Sequence, residues 1–167
     1  FDVAKIEENK YGMKPEIIDL REITKAVVDD FFYMAQASNL EIKFEKSKEP
    51  VFVNTDPIKI RQVIDNLISN AIKYKSSGRG KVEIELKKID DNVLFSCKDN
   101  GLGIPEGDFN KVFSKFYRSS EALEADPSGT GLGLYINKAI VELSHGKIWF
   151  ERNKDSGMTF YFSLPAV

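Results

Sequence analysis

Two asparagines set one helical turn apart open the chemical reading. Asn66 and Asn70 lie in QVIDNLISNAIKY, residues 62–74, where Val63, Ile64, Leu67, Ile68, Ala71 and Ile72 recur at three- and four-residue steps. Asn66, Asn70, Lys73 and Tyr74 follow one another along a neighbouring stripe of the same helix. Asparagine is a mediocre helix former, so the pair needs a reason. The stripe has two readings: a solvated polar face, or two amide oxygens turned toward a shared hard cation. Mg²⁺ suits the second, because it takes oxygen ligands and keeps waters and substrate phosphates around it. Neutral amides fit a site where a triphosphate brings the negative charge. Lys73 is then a candidate phosphate partner on a flexible stem. Tyr74 can lay its ring beside a base and keep its hydroxyl wet.

Two glycine-rich segments extend this chemistry. In DNGLGIP, residues 99–105, Asp99 ends an alternating run, and Gly101 and Gly103 allow a tight turn before Ile104. An ionised Asp99 accepts hydrogen bonds, and the exocyclic amine of adenine is a fitting donor; a plain turn with a capping aspartate is the alternative. The second segment, Gly129-Thr130-Gly131-Leu132-Gly133-Leu134, runs directly into a helix, whose first N–H groups suit phosphate. It lacks the P-loop pattern, and no strand–helix–strand unit surrounds it to make a dinucleotide fingerprint. Residues 105–128 link the two loops, a length that marks a lid or binding loop. Phe113, Phe116 and Tyr117 give that link an apolar grip, and Arg118 behind them can reach a terminal phosphate.

The elements that must position these groups can be read from periodicity. Residues 1–12 read as the end of a helix stopped by Gly12, and EIIDL after Pro15 as a short extended segment. Asp19 is placed to cap a helix over 21–37, with Glu22 in the capping-box position. EIKFEK and VFVN read as strands, and Asp56-Pro57 starts the asparagine helix, about 56–75. Alternation over 82–86 and 93–97 around an Asp-Asp-Asn turn predicts an antiparallel hairpin. A helix over 132–144 and strands over 147–151 and 158–164, joined by the polar turn NKDSG, complete the chain. The economical architecture is α+β: a two-layer α/β sandwich, its mixed and mostly antiparallel sheet covered by helices on one face.

Composition narrows the function classes. The 167 residues suffice for one packed domain, with 42% hydrophobic and 30% charged residues. A net charge of −2 gives no support to a nucleic-acid binder. The local basic run Lys73, Lys75, Arg79 and Lys81 is either a solvated helix end or the source of one phosphate contact. A single cysteine, Cys97, rules out an internal disulfide and a cysteine-rich zinc site. No run approaches a membrane span and there is no signal-peptide pattern. Phe rather than Met at the first position is expected of a piece of a longer protein.

Together the motifs resemble the catalytic, ATP-binding domain of two-component sensor histidine kinases, in the superfamily shared with gyrase and heat-shock chaperone ATPases. The resemblance covers about residues 14–165. QVIDNLISNAIKY resembles the asparagine box, DNGLGIP the first glycine box, FSKFYR (113–118) the phenylalanine box and GTGLGL (129–134) the second glycine box; HGKIWF and GMTFYFSLP follow in order. It implies that Asn70, assisted by Asn66, holds Mg²⁺, and that Lys73 and Arg118 meet phosphates, making Asn70, Lys73 and Arg118 the catalytic group. Tyr74, Ile104 and Tyr117 would lie near the nucleotide, and Asp99 would read the adenine amine in a pocket shaped by Gly101 and Gly103. Gly129, Thr130, Gly131, Leu132, Gly133 and Leu134 would hinge and close the lid over ATP. Thr159 would stand behind Asp99 and support it directly or through water.

The resemblance also divides the chain into the tail of a dimerisation helix with its linker, residues 1–13, and a catalytic domain, residues 14–167. It implies transfer of the γ-phosphoryl group of ATP to a histidine on a separate dimerisation domain, with a response regulator downstream. The phospho-accepting histidine is absent: the only histidine, His145, belongs to the turn ending the last helix. The gyrase-like relatives activate water with a glutamate where this chain has Asn66, and Asp65 points about 100° away around the helix. Transfer is therefore expected rather than hydrolysis. The alternatives are an ATPase or serine kinase of the same superfamily and a degenerate, non-catalytic interaction module. The implied setting is a cytoplasmic domain of a parent that can be anchored in the bacterial inner membrane, monomeric when isolated.

Overall fold

The computed structural model describes residues 2–167. A short helix α1 (Asp2–Glu7) leads into β1 (Glu16–Asp19), which pairs antiparallel with β3 (Phe52–Thr55) in a two-stranded sheet. Between them run α2 (Leu20–Ala37) and β2 (Leu40–Phe44). Asp19 caps α2 by accepting from the Arg21 N–H and Arg21 Nε. Glu22 does not complete a capping box; its carboxylate pairs with Lys46 instead. Helix α3 (Pro57–Lys73) follows, with Pro57 in its first turn. Asp56 caps it, accepting from the Ile58 and Lys59 N–H groups. Burial raises the Asp56 pKa, but the Lys14, Lys59 and Ile58 N–H groups and the Lys59 charge outweigh it, and the net shift is downward.

The main sheet has five strands in the order β2-β4-β5-β7-β6, with β4 (Gly80–Ile89), β5 (Asn92–Asp99), β6 (Lys147–Arg152) and β7 (Met158–Pro165). Only β2 and β4 are parallel; the other three pairings are antiparallel. The inward residues of the two central strands alternate as expected: Val82, Ile84 and Leu86 on β4, Val93, Phe95 and Cys97 on β5. Phe95 stacks on Phe162 of β7 at 4.7 Å between centroids.

Helix α3 lies over this sheet with Ile60, Val63, Ile64, Leu67, Ile68, Ala71 and Ile72 all buried. Each fully buried aliphatic side chain contributes about 1.5–3 kcal/mol, enough to fix the rotation of the helix and hence the direction of its polar stripe. Helices α2 and α5 (Gly133–Leu143) flank it. Tyr11 is buried in the same core, so packing reaches ahead of residue 14, where the sequence reading places the boundary.

The connection from 100 to 132 carries more structure than periodicity suggested. A 3₁₀ turn spans Glu106–Lys111, and a six-residue helix α4 (Ser120–Ala125) is capped by the Ser119 hydroxyl, which accepts from the Ala122 N–H at 3.0 Å. Among the described residues no helix is long and apolar enough to cross a membrane.

Candidate functional site

The polar stripe of α3, the end of β5 and the 100–132 connection enclose a cleft of about 240 Å³. Asn66, Asn70, Lys73 and Tyr74 line it from α3; Asp99, Gly103 and Ile104 from the first glycine loop; Tyr117 and Arg118 from the lid. Gly129, Thr130, Gly131, Gly133 and Leu134 complete the rim. Residues separated by up to 94 positions, Asn66 to Phe160, thus share one space. Three residues of the sequence reading stand back from the wall: Gly101, Leu132 and Thr159 are not among the lining.

Asp99 is the anchor of the sheet end. Its Oδ1 accepts from the Gly101 N–H at 2.9 Å and the Met158 N–H at 3.3 Å. Gly101 therefore acts on the site through its backbone. Burial raises the Asp99 pKa, and the two N–H donors offset this only in part. The carboxylate has given Oδ1 to the backbone, while Oδ2 holds no hydrogen bond among the described residues, and Asp99 lines the cleft.

Thr159 makes no direct hydrogen bond to Asp99 and is linked to it through Asn153. Its hydroxyl donates to Asn153 Oδ1 at 2.6 Å, and Asn153 Nδ2 donates to the Asp99 carbonyl at 2.7 Å. The reason is sheet register: Thr159 pairs with Lys98, one residue short of Asp99, so Met158 and the β6–β7 turn face the aspartate instead. Asn153, Gly157 and Met158 are thus site-shaping residues that sequence reasoning missed. Gly157 has φ +79, and a β-carbon there would overlap the Asp99 carbonyl oxygen and lie 2.5 Å from its Oδ1. Only glycine lets this turn approach so closely. The sole sequence signal was a glycine closing the NKDSG turn.

The opposite end of the cleft is built from long charged side chains. Lys73 Nζ stands 3.6 Å from Asp126 Oδ2 of the lid. Arg118 donates through Nη1 to the Gly129 carbonyl at 3.2 Å and through Nη2 to the Ala122 carbonyl at 2.8 Å and the Asp126 carbonyl. Its Nη2 also lies 3.4 Å from the Tyr74 hydroxyl. The Asp126 pKa is lowered, by the Ser128 hydroxyl first and by Lys73. Both cations that the sequence assigns to phosphate are therefore engaged with the lid, and Asp126 is a further residue that spacing alone did not single out. Of the basic run, only Lys73 lines the cleft; Lys75 donates to the Ser76 and Gly78 carbonyls.

The lid closes on itself through backbone. The Phe116 N–H donates to the Gly131 carbonyl at 2.9 Å, and Phe116 holds φ +66 while its ring is exposed. A β-carbon at Gly131, φ +71, would meet the Phe116 backbone at 2.7–2.9 Å. Phe113 packs away from the cleft against Phe150 and Phe160. The Tyr117 hydroxyl donates to Asp108 Oδ2 at 2.9 Å.

The donor set suits a nucleotide-borne cation. Among the described residues no group of three or more His, Cys, Asp or Glu side chains gathers to hold a metal. A cation in this cleft would rest on amide oxygens of Asn66 and Asn70 and on the ligand's own phosphates, the arrangement Mg²⁺ accepts. Asp65 is not on the cleft wall. His145 adopts φ +63 just past α5 as part of its closing turn, where Gly146 N–H donates to the Val141 carbonyl at 2.9 Å, and it does not line the cleft.

Comparison with known proteins agrees with this geometry. Residues 55–167 match the family described as histidine kinase-, DNA gyrase B-, and HSP90-like ATPase. The sensor histidine kinase WalK of Bacillus subtilis is 35% identical over 165 residues, 98% of this chain and 27% of that protein. The sensor protein kinase WalK of Staphylococcus haemolyticus is 33% identical over the same shares. This chain thus spans about a quarter of the length of the curated relatives it matches. The nucleotide-free catalytic domain of the histidine kinase ThkA superposes with a TM-score of 0.80 at 31% identity, covering 92% of this chain and 98% of that one. ThkA in complex with the response regulator protein TrrA gives 0.76 at 29% identity, covering 99% of this chain and 46% of that one. The chain therefore belongs to the family of histidine kinase-, DNA gyrase B- and HSP90-like ATPases, and it corresponds to the catalytic ATP-binding domain of sensor histidine kinases.

Proposed function

We propose that this chain binds Mg-ATP in the α3–lid cleft and donates the γ-phosphoryl group to a histidine presented by a separate dimerisation domain of its parent. The observation that carries this is the convergence, on one cleft, of Asn66, Asn70, Lys73, Asp99 and Arg118 from three parts of the chain. Asp99 would accept the adenine amine with Oδ2. Tyr74, Ile104 and Tyr117 would flank the nucleotide, and Asn70 with Asn66 would offer amide oxygens to Mg²⁺. When bound, Mg²⁺ supplies charge neutralisation at the phosphates.

Lys73 and Arg118 would exchange their lid partners for phosphate oxygens. A histidine nitrogen then forms its bond to the γ-phosphorus as the bond to the β,γ-bridging oxygen breaks and ADP leaves. The protein's part is positioning and electrostatics. Hydrolysis is disfavoured because Asn66 cannot serve as a base and Asp65 lies off the cleft wall. By likeness to ThkA, seen with the response regulator TrrA, the parent would pass the phosphoryl group to such a regulator. The parent would hold this domain in the cytoplasm, with residues 1–13 as the junction to its dimerising helices.

The test supplies the chain with γ-labelled ATP and a purified dimerisation domain in trans. Label on the histidine, with slow phosphate release by the chain alone, is the expected result. Fast steady-state release without a histidine acceptor sinks the transfer reading in favour of an ATPase.

A further inference from the structure

Asn137 sits on α5, which follows the second glycine loop, and is fully buried at 0% exposure. Its Oδ1 accepts from Asn66 Nδ2 at 3.0 Å across the α3–α5 interface. Its own Nδ2 has no partner among the described residues, the only buried side-chain atom of that kind. Its helix neighbours Ile140 and Val141 are equally buried and apolar. An asparagine inside a helix lowers helix propensity, and a buried N–H₂ group without a partner lowers stability. Packing therefore gives no reason for Asn137 to be there.

Its one hydrogen bond does give a reason. The Asn66 side chain ends in an oxygen and a nitrogen of similar size, and only the oxygen can meet a cation. Asn137 takes the nitrogen end. This leaves Asn66 Oδ1 as the end free for the cleft that Asn66 lines.

We propose that Asn137 is a positioning residue for Mg-ATP: it fixes the Asn66 amide with its oxygen toward the cation. This rests on the Mg-ATP reading above. Groups that orient metal ligands commonly change metal affinity about 10–100-fold when removed, and the orientation here is set before the nucleotide arrives.

The test is a double-mutant cycle on this chain, with ATP affinity measured calorimetrically in Mg²⁺ and in EDTA. Asn137→Val is expected to melt at or above the parent temperature. It should bind Mg-ATP about 10-fold more weakly and bind metal-free ATP as the parent does. In an Asn66→Ala background, the valine should add no further loss, because its effect runs through Asn66. Equal losses with and without Mg²⁺, no loss at all, or losses that add in the double variant each overturn the proposal. Should the valine variant not fold, Asn137→Ala runs the same cycle, and failure of both to fold assigns the residue to the core and overturns it too. A parent chain that does not bind Mg-ATP overturns the nucleotide reading and this inference together. A parent that binds, with an unaffected valine variant, overturns the positioning role alone.

Discussion

The two ends of the cleft hold their polar groups in different ways. At the sheet end, Asp99 is half-buried and pinned through Oδ1 by two backbone N–H groups, with a third hydrogen bond from Asn153 to its carbonyl. Little there can rotate. At the lid end, the long side chains of Lys73 and Arg118 pair with Asp126 and with lid carbonyls. The first end is set before a nucleotide arrives, and the second must change partners to receive one. A base is recognised by fixed hydrogen bonds whose loss leaves buried groups unpaired. A phosphate is held by charges that tolerate exchange.

The contrast predicts where substitutions hurt most. Gly157→Ala strikes the rigid end hardest, because the added carbon overlaps the Asp99 carbonyl at a positive φ. A loss of about 3 kcal/mol is expected, lowering Tm by roughly 6–12 °C in a thermal melt. Asp99→Asn comes next. The new oxygen can still accept from Gly101 and Met158, but an N–H₂ group replaces the unpartnered acceptor Oδ2. ATP affinity should fall about 100-fold with the fold intact.

That variant also tests the electrostatics of Asp99. Burial holds its folded pKa above the unfolded 3.8. Below 3.8 both states keep the proton and the residue contributes nothing to pH dependence. As pH rises from there through the raised folded value, the folded protein must give up a proton it prefers to keep, and stability is lost. Asp99→Asn lacks that loss. The variant's Tm should therefore gain on the parent's across that window and level off above it. A constant Tm difference from pH 4 upward would count against a buried, raised Asp99.

Substitutions at the lid end should act more weakly. Arg118→Ala removes the side chain that gathers the Gly129, Ala122 and Asp126 carbonyls. It should weaken Mg-ATP binding about 10-fold while leaving adenosine binding unchanged, as calorimetry with the two ligands would show. Asp126→Ala has the smallest effect and the opposite sign. It frees Lys73 from its lid partner, and Mg-ATP should bind about twofold tighter at low salt, with the gain vanishing in high salt.

The same contrast marks what could be read from sequence. Lys73 and the asparagine stripe were legible because they recur at helical spacing on α3, Arg118 because it ends the apolar island of the lid, and Asp99 because it ends an alternating strand before two glycines. The long helices and the strands followed from periodicity, with the cap at Asp19 and the start of α3 at Asp56-Pro57. What escaped depends on contacts between distant segments. Gly157 looks like any turn glycine until the β6–β7 turn is seen against Asp99, and the link from Thr159 through Asn153 is invisible because register decides which β7 residue faces the aspartate. Asn137 reads as an ordinary position in an apolar helix, since its partner lies 71 residues earlier. Helix α4 was hidden by its length: six residues give too little periodicity, and the Ser119 cap is one hydroxyl in a polar stretch.

The central claim is that Asp99 reads an adenine amine in a preset pocket. Its most direct test is calorimetric titration of the parent and Asp99→Asn chains with Mg-ATP and with the Mg complex of inosine triphosphate, whose base carries a carbonyl where adenine carries the amine. The parent should prefer ATP by about 100-fold, and Asp99→Asn should reverse or abolish that preference, since its amide can donate to the inosine carbonyl. Equal binding of the two nucleotides by the parent, or a preference for ATP that survives Asp99→Asn, would contradict the account.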